Sequence, residues 1–196
     1  MSSETSPKMF PGFTEFNIAV SPTVTIYGLK AGTGPPLLLL HGFPQTHHIW
    51  HKIAPELISS FTVILMDLRG YGKSSKPPSS ASEQHKSYSK SVMATDCTSL
   101  MTQLGFEKFS IVSHDRGARI AHKLCVDFPV RVERLMLLDI APTLAMFEKT
   151  DQFFATAYWH WFFLIQSSPF PEKVLMASPS VFEERFFGGG YSGGTG

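Results

Sequence analysis

The segment SHDRGAR, residues 113–119, places one carboxylate and two guanidinium groups among small residues, directly after the apolar run FSIV. The pattern small-x-Asp-x-Gly between a strand and a helix is typical of a nucleophile elbow, a sharp turn that exposes its middle residue. Ser113 and Gly117 are small, as such a chain reversal requires. The middle residue is Asp115, and a carboxylate at this point can displace a leaving group from carbon and form an ester. The sequence predicts that Asp115 is a nucleophile.

A structural role for Asp115 is the alternative, because aspartate often caps the free N–H groups at the start of a helix. The glycine frame of the turn and a second motif favour the nucleophile.

The second motif is LLLLHGFPQ, residues 37–45, a buried strand pattern that runs into His-Gly-Phe-Pro. In α/β-hydrolase folds, a backbone N–H from such a loop joins the N–H after the nucleophile to form an oxyanion hole. The predicted donors are the N–H groups of Phe43 and Arg116. They would hold the negative oxygen that forms when water attacks the ester. His41 is predicted to support the loop rather than to take part in catalysis.

The elements that would position these motifs alternate between strands and helices. The last four predicted strands are apolar throughout, which is typical of parallel strands covered on both faces. Strands alternating with helices predict an α/β fold. The predicted strands lie at residues 15–20, 23–29, 36–42, 61–68, 109–114 and 134–140. The predicted helices lie at residues 50–58, 89–105 and 116–128.

The composition and the hydrophobic spacing of the sequence change after Pro142. The following segment is aromatic and helical in spacing, without strand signals, and it leads into a run rich in glycine. We predict an N-terminal core at residues 1–145, part of a helical cap at residues 146–187 and a glycine-rich tail at residues 188–196.

Composition excludes several classes of function. The chain has 196 residues, 43% of them hydrophobic, and a net charge of +1, and its scattered basic residues argue against nucleic-acid binding. Cys97 and Cys125 are too few for a disulfide framework, and no spacing of metal ligands or need for a cofactor is seen. No apolar run approaches the roughly 20 residues of a membrane span. We expect a cytoplasmic protein without metal, cofactor, nucleic-acid or membrane partner, and a homodimer is left open.

Five segments in order, HGFPQ, DLRGYGKSSKP, SHDRGAR, LLDIAPT and HWFFLIQ, resemble the fluoroacetate (haloacetate) dehalogenases, a branch of the α/β-hydrolase superfamily. The resemblance extends from about residue 10 to about residue 187. The elbow and the oxyanion loop occur across the superfamily, whereas the Arg-x-x-Arg after Asp115 and the His-Trp pair are more specific. The resemblance implies an α/β-hydrolase fold with a mostly parallel sheet, flanking helices and the first part of a helical cap.

By this resemblance, Arg116 and Arg119 bind the carboxylate of a small anionic substrate. Positions i and i+3 share one face of a helix, and the helix N-terminus attracts negative charge. A guanidinium group also matches a carboxylate through two parallel hydrogen bonds. A short 2-halo acid held in this way would present its halogen-bearing carbon to Asp115. A surface ion pair is the alternative role for either arginine.

The resemblance also implies roles for Asp139, His160 and Trp161. Asp139 is predicted to end the strand beside the elbow, at the edge of the sheet where parallel strands end together, and the family uses this aspartate to orient a catalytic histidine. His160 and Trp161 match the family's ring N–H donors to the departing halide. The alternatives are a turn-stabilising role for Asp139 and plain aromatic packing for the His-Trp pair.

A second half of the reaction needs a histidine that activates water to attack the ester. The family carries this histidine in a loop after its last strand, and none of the eight histidines of this chain has that position. We therefore expect a C-terminally truncated chain that lacks the final core strands and cannot turn over. The strand at residues 134–140 would then be an exposed apolar edge.

Three functions remain open. The first is a haloacetate dehalogenase-like hydrolase, favoured by Arg116 and the His-Trp pair. The second is an epoxide hydrolase, which shares the HGFP loop, the Asp elbow and the ester intermediate, and which Tyr158 supports. The third is a non-catalytic remnant, which the missing histidine supports.

Overall fold

The computed structural model describes residues 9–83 and 85–187. The tail predicted at residues 188–196 lies outside the described residues. The chain divides into two compact units between Pro142 and Thr143.

The first unit is built on a six-stranded sheet with the strand order β1-β2-β4-β3-β5-β6. β1 pairs with β2, and β2 with β4, in antiparallel fashion, whereas β4, β3, β5 and β6 are parallel. All six predicted strands and the parallel arrangement of the last four are confirmed. The strands are β1 (Thr14–Ser21), β2 (Val24–Ala31), β3 (Pro36–Leu40), β4 (Thr62–Met66), β5 (Phe109–His114) and β6 (Val132–Leu138).

Helices connect the parallel strands, and five more follow in the second unit. The first unit contains α1 (Ala54–Leu57), α2 (Lys90–Gln103) and α3 (Asp115–Asp127). The described part of the second unit contains α4 (Thr143–Glu148), α5 (Gln152–Ala157), α6 (Trp159–Leu164), α7 (Phe170–Ala177) and α8 (Pro179–Phe187). Among the described residues, no helix combines the length and the hydropathy needed to cross a membrane.

The apolar runs of β3 and β4 are explained by burial on both faces of the sheet. Successive residues of a strand point to opposite faces. Leu38 and Leu40 belong to a cluster with residues of α2 and α3, whereas Leu37 and Leu39 belong to a second cluster that includes Trp50 and Ala54. Each face of these central strands is therefore covered by its own apolar layer.

The boundaries of α2 and α3 follow local chemistry. The Ser89 hydroxyl accepts a hydrogen bond from the Val92 N–H at the start of α2, and Gly105 follows the helix with a φ of 87°. α3 begins at Asp115 directly after β5 and ends before Pro129, which has no N–H to continue it.

β6 forms one edge of the sheet, and its apolar side chains are exposed. Leu135, Met136 and Leu137 are 37%, 56% and 40% exposed, respectively. Because neighbouring residues face opposite sides of a strand, both faces of β6 are open in the structure. The sequence-based expectation of an exposed apolar edge is confirmed for the described residues.

The second unit is rich in aromatic contacts. Phe154 stacks on Tyr158 with ring centroids 4.7 Å apart, and Phe182 stacks on Phe186 at 5.7 Å. Much apolar surface remains open, and Phe153, for example, is 74% exposed.

A buried ion pair fixes the loop after β4 against α2. Arg69 donates from Nε and Nη2 to the two carboxylate oxygens of Asp96, each at 2.5 Å, and from Nη1 to the Ser87 carbonyl oxygen at 2.7 Å. Both side chains are almost fully buried. Burial raises the pKa of Asp96, and the hydrogen bonds and charge of Arg69 oppose that rise.

We predict that Asp96→Asn lowers the free energy of unfolding by about 3 to 5 kcal/mol, because Arg69 is left buried without its counter-charge. Urea denaturation measures the change. The double variant Arg69→Met/Asp96→Leu should recover much of the loss. Lys123→Met is the control, since the Lys123–Asp127 pair is partly exposed, and it should cost about 0.5 kcal/mol or less. Equal effects of Asp96→Asn and Lys123→Met would contradict the prediction.

Candidate active site

The carboxyl ends of the four parallel strands lie along one edge of the sheet. The register pairs Leu40 with Met66 and with Ser113, and His114 with Leu138. The residues that directly follow these strands are His41, Asp67, Asp115 and Asp139. Ligands of parallel α/β sheets bind at this edge, so it is the candidate site.

The turn from β5 into α3 is as sharp as the sequence predicts. Asp115 has a φ of 46°, in the left-handed region that residues with side chains rarely adopt. A Cβ on Gly117 would lie 2.4 Å from the His41 carbonyl oxygen, so residue 117 has no room for a side chain. Ser113 is fully buried and its hydroxyl donates to the Met136 carbonyl oxygen of β6 at 3.2 Å. The close approach of the His41 backbone thus explains the glycine at position 117, and burial with a hydrogen bond to β6 explains the small polar residue at position 113.

The Asp115 carboxylate is held by the loop after β3. The Phe43 N–H donates to Oδ2 of Asp115 at 2.8 Å. Gly42 makes this approach possible, because a Cβ there would lie 2.5 Å from the Cβ of Asp115. No side-chain hydrogen bond caps the start of α3 in the described part of the chain. Asp115 therefore does not cap its own helix.

Arg116 and Arg119 extend from the first turns of α3. The guanidinium group of Arg116 is exposed and lies over the Phe43 ring, 5.5 Å from its centroid. Arg119 is half-buried, and burial lowers its pKa, with Asp115 opposing the shift and Arg116 adding to it. Both cations are thus near the carboxylate, and one of them is partly removed from water.

His41 links the loops after β3 and β4. Its Nε2 accepts the Leu68 N–H at 3.0 Å, so Nδ1 carries the proton and donates to the Gly42 carbonyl oxygen at 2.8 Å. Burial lowers the pKa of this ring, which favours the neutral form. These bonds agree with the supporting role expected for His41.

A second buried pair, between His47 and Asp67, was not expected from the sequence. His47 follows the HGFPQ segment, and its Nδ1 lies 2.7 Å from Oδ1 of Asp67. The Asp67 carboxylate also accepts the backbone N–H groups of His47 and Lys73, each at 2.9 Å. Burial raises the pKa of Asp67, but these hydrogen bonds outweigh it and hold the pKa at about 2. The pair joins two loops at the candidate site.

Lys90 is a third cation at this site that sequence reasoning missed. It is the first residue of α2 and is half-buried. Its pKa is lowered to about 8 by burial and by the charges of Arg116 and Arg119, while Asp115 opposes the shift. The one signal in the sequence was its place after Ser89, since a lysine in the first turn of a helix opposes the helix dipole.

The other predicted site residues are Asp139, which belongs to the first unit, and His160 and Trp161, which belong to the second. Asp139 directly follows β6, has a φ of 52° and is exposed. His160 and Trp161 lie on α6 in the second unit. The Trp161 ring centroid is 5.6 Å from that of Phe154, and the His160 ring is 4.8 Å from that of Phe186. The roles of Asp139 as an orienting group and of His160 and Trp161 as halide donors stay predictions.

Comparison with known proteins agrees with this geometry. The model of the alpha/beta hydrolase fold family matches residues 35–184. A fluoroacetate dehalogenase of Burkholderia sp. is 50% identical over 189 residues, which are 96% of this chain and 61% of that protein. A soluble epoxide hydrolase of Corynebacterium sp. (strain C12) is 42% identical over 116 residues, 59% of this chain and 38% of that protein.

A solved structure shows the same fold. The crystal structure described as that of an alpha/beta hydrolase from Nostoc sp. PCC 7120 superposes with a TM-score of 0.84 at 52% identity, and the match covers 90% of this chain and 60% of that one. The chain thus spans about 61% of the dehalogenase and 60% of the Nostoc protein.

We predict that Asp67 stabilises the fold in a way that depends on pH. Its pKa of about 2 lies below the ordinary 3.8, so its contribution is fully present above about pH 4 and is lost as the pH falls through about 2. The shift corresponds to about 2 kcal/mol at neutral pH. In urea denaturation, Asp67→Asn should destabilise by at least that amount at pH 7, and the difference from wild type should shrink toward pH 3.

The exposed carboxylate of Glu56 supplies the control. Glu56→Gln should leave the free energy of unfolding nearly unchanged at both pH values. A difference for Asp67→Asn that is the same at pH 7 and pH 3 would refute the prediction.

Proposed function

Because this chain belongs to the alpha/beta hydrolase fold family, we propose that it uses Asp115 as a nucleophile toward carbon, on a short 2-halo acid. The observation that carries the proposal is the carboxylate of Asp115 at the tip of the β5–α3 turn, bound through Oδ2 to the Phe43 N–H at 2.8 Å. The 50% identity to a fluoroacetate dehalogenase supports the class of substrate.

The first step is a displacement at saturated carbon. Oδ1 of Asp115 attacks the carbon that carries the halogen, the new C–O bond forms an ester, and the halide leaves with the electron pair of the C–X bond. The hydrogen bond to Oδ2 leaves Oδ1 as the attacking oxygen. Because the nucleophile is a carboxylate oxygen, the C–O bond forms without removal of a proton, and this step needs no base.

Arg116 and Arg119 are proposed to bind the carboxylate of the substrate. Their positive charges lie beside Asp115. A haloacid bound to them would therefore have its halogen-bearing carbon positioned next to the nucleophile. The same cations offset the repulsion between the substrate carboxylate and Asp115. A neutral substrate gains nothing from them.

The Phe43 N–H is proposed to act again when water attacks the ester. The oxygen that becomes negative in that step is the carbonyl oxygen of the Asp115 ester, which is the atom that already accepts the Phe43 N–H. The backbone N–H of Arg116 is the second proposed donor. The proposal assigns no base to the activation of water. Asp139, beside β5 at the same edge, is proposed to orient one.

An epoxide hydrolase is the second candidate. The soluble epoxide hydrolase of Corynebacterium is 42% identical to the matched part of this chain, and attack of a carboxylate on an epoxide carbon also yields an ester. The cations at the site favour the haloacid, because an epoxide carries no charge for Arg116 and Arg119 to bind.

The proposal predicts a covalent adduct. The full chain is incubated with chloroacetate and quenched with acid, and intact-mass measurement with peptide mapping follows. We expect one carboxymethyl group on Asp115 and release of chloride. Asp115→Asn should form none. Arg119→Met should slow adduct formation from chloroacetate by about ten- to a hundredfold, because a charge-assisted hydrogen bond to the substrate is lost.

Two controls separate the candidates. Chloroacetamide has the same leaving group without the charge, so Arg119→Met should change its rate little. Styrene oxide tests the second candidate, and an Asp115 adduct from the epoxide alone would favour that function. Modification confined to Cys97 or Cys125, with Asp115 untouched, would rule out the nucleophile.

A further inference from the structure

Lys90 breaks a local rule of helix formation. It is the first residue of α2, where the helix dipole favours negative side chains, and the first turn of α2 contains no acidic residue. Its side chain is half-buried, which takes part of its charge out of water. Within residues 9–83 and 85–187, the ammonium group has neither a hydrogen bond nor an ion pair. A half-buried lysine in this setting costs stability, and no direct hydrogen bond or ion pair within the described ranges offsets that cost.

α2 packs beside α3, and the hydrogen bonds of Arg69 to Asp96 and to the Ser87 carbonyl oxygen hold the N-terminal end of α2 against the loop after β4, at the sheet edge where Asp115 lies. The charges that act on Lys90 belong to the first turns of α3 at this edge. Arg116 and Arg119 repel its ammonium group, and Asp115 attracts it. The charges of Lys90, Arg116 and Arg119 therefore act on one another, and Asp115 is the carboxylate among them. The N-termini of α2 and α3 add partial positive charge to the same region. The surplus of positive charge is a feature that an anionic ligand would neutralise.

We infer that Lys90 is a specificity-determining residue of the Asp115 site: it selects anionic, carboxylate-bearing substrates over neutral ones. The inference rests on the proposed function, since it concerns the substrate class of the same nucleophile. It adds to that function a residue from a different helix, which neither the turn nor the Arg-x-x-Arg segment contains.

The physical role of Lys90 is electrostatic. A bound carboxylate lies in a region partly shielded from water, where each nearby cation attracts it more strongly than at an exposed surface. The ammonium group also stabilises the two negative charges, on substrate and nucleophile, that must approach each other. A neutral electrophile does not meet this repulsion, so its reaction with Asp115 depends little on Lys90.

The test compares two electrophiles on the full chain. The rate of adduct formation on Asp115 is measured for chloroacetate and for chloroacetamide, with peptide mapping to exclude the cysteines. Lys90→Met should lower the chloroacetate rate about tenfold and leave the chloroacetamide rate within about twofold, as expected for removal of one nearby charge. Lys90→Arg, which keeps the charge, should retain most of the selectivity. Lys86→Met, at an exposed lysine of the preceding turn, should match wild type.

The pH dependence gives a second readout. The pKa of Lys90 is about 8, with Arg116, Arg119 and Asp115 as the charged groups that act on it. Below that pH the group is charged, and above it the group is neutral. The ratio of the chloroacetate rate to the chloroacetamide rate should therefore fall in wild type as the pH rises through about 8. The ratio should stay flat for Lys90→Arg, which remains charged, and low and flat for Lys90→Met.

Two outcomes with the electrophiles overturn the inference. An unchanged ratio in Lys90→Met shows that the charge is not used. An equal fall of both rates shows a packing role, which does not depend on the charge of the substrate.

Failure of the proposed function gives a different result. If wild type forms no Asp115 adduct, binding of acetate is measured by calorimetry for wild type and Lys90→Met. If Lys90→Met binds acetate about tenfold more weakly than wild type does, the inference about Lys90 is supported even though Asp115 does not act as a nucleophile. Equal affinity, or no binding to wild type, overturns it.

Discussion

Two loops interlock at the carboxyl ends of β3 and β5, and their contact depends on the absence of two side chains. A Cβ on Gly42 would collide with Asp115, and a Cβ on Gly117 would collide with the backbone of His41. Because neither is present, the loops approach closely enough for the Phe43 N–H to reach the Asp115 carboxylate. The sharp turn, the orientation of α3 and the direction of its two arginines all depend on this contact.

The buried and half-buried charges around the loops after β3, β4 and β5 differ in how they are compensated. The pairs Arg69–Asp96 and His47–Asp67 are buried and compensated, and they fix the loops after β3 and β4 to the body of the unit. Around Asp115 the positive charges outnumber the negative one. The compensated pairs stabilise the fold, whereas the surplus of cations lowers its stability. Such a surplus is typical of a site shaped for a ligand rather than for stability.

The sequence predicted the features that depend on local pattern. Continuous apolar runs indicated the parallel strands, since both faces of β3 and β4 are buried, and the small residues Ser113 and Gly117 indicated the turn. It did not predict what depends on contacts between distant segments. His47 and Asp67 are twenty positions apart in the chain, and their pairing follows from the register of β3 and β4. The role of Lys90 was not predicted for the same reason, because the packing of α2 on α3 determines which residues lie near it.

The Gly42–Phe43 peptide group joins two of the contacts described above. Its carbonyl oxygen accepts a hydrogen bond from Nδ1–H of His41, and its N–H donates a hydrogen bond to Asp115. A peptide whose carbonyl accepts a hydrogen bond is polarised and becomes a better donor. The His41 ring in turn accepts the Leu68 N–H, so three hydrogen bonds run in one direction from the end of β4 to the nucleophile. The strength of the Phe43 N–H as a donor to Asp115 therefore depends on the whole series of hydrogen bonds. The neutral imidazole of His41, two residues before Phe43, helps to set that strength.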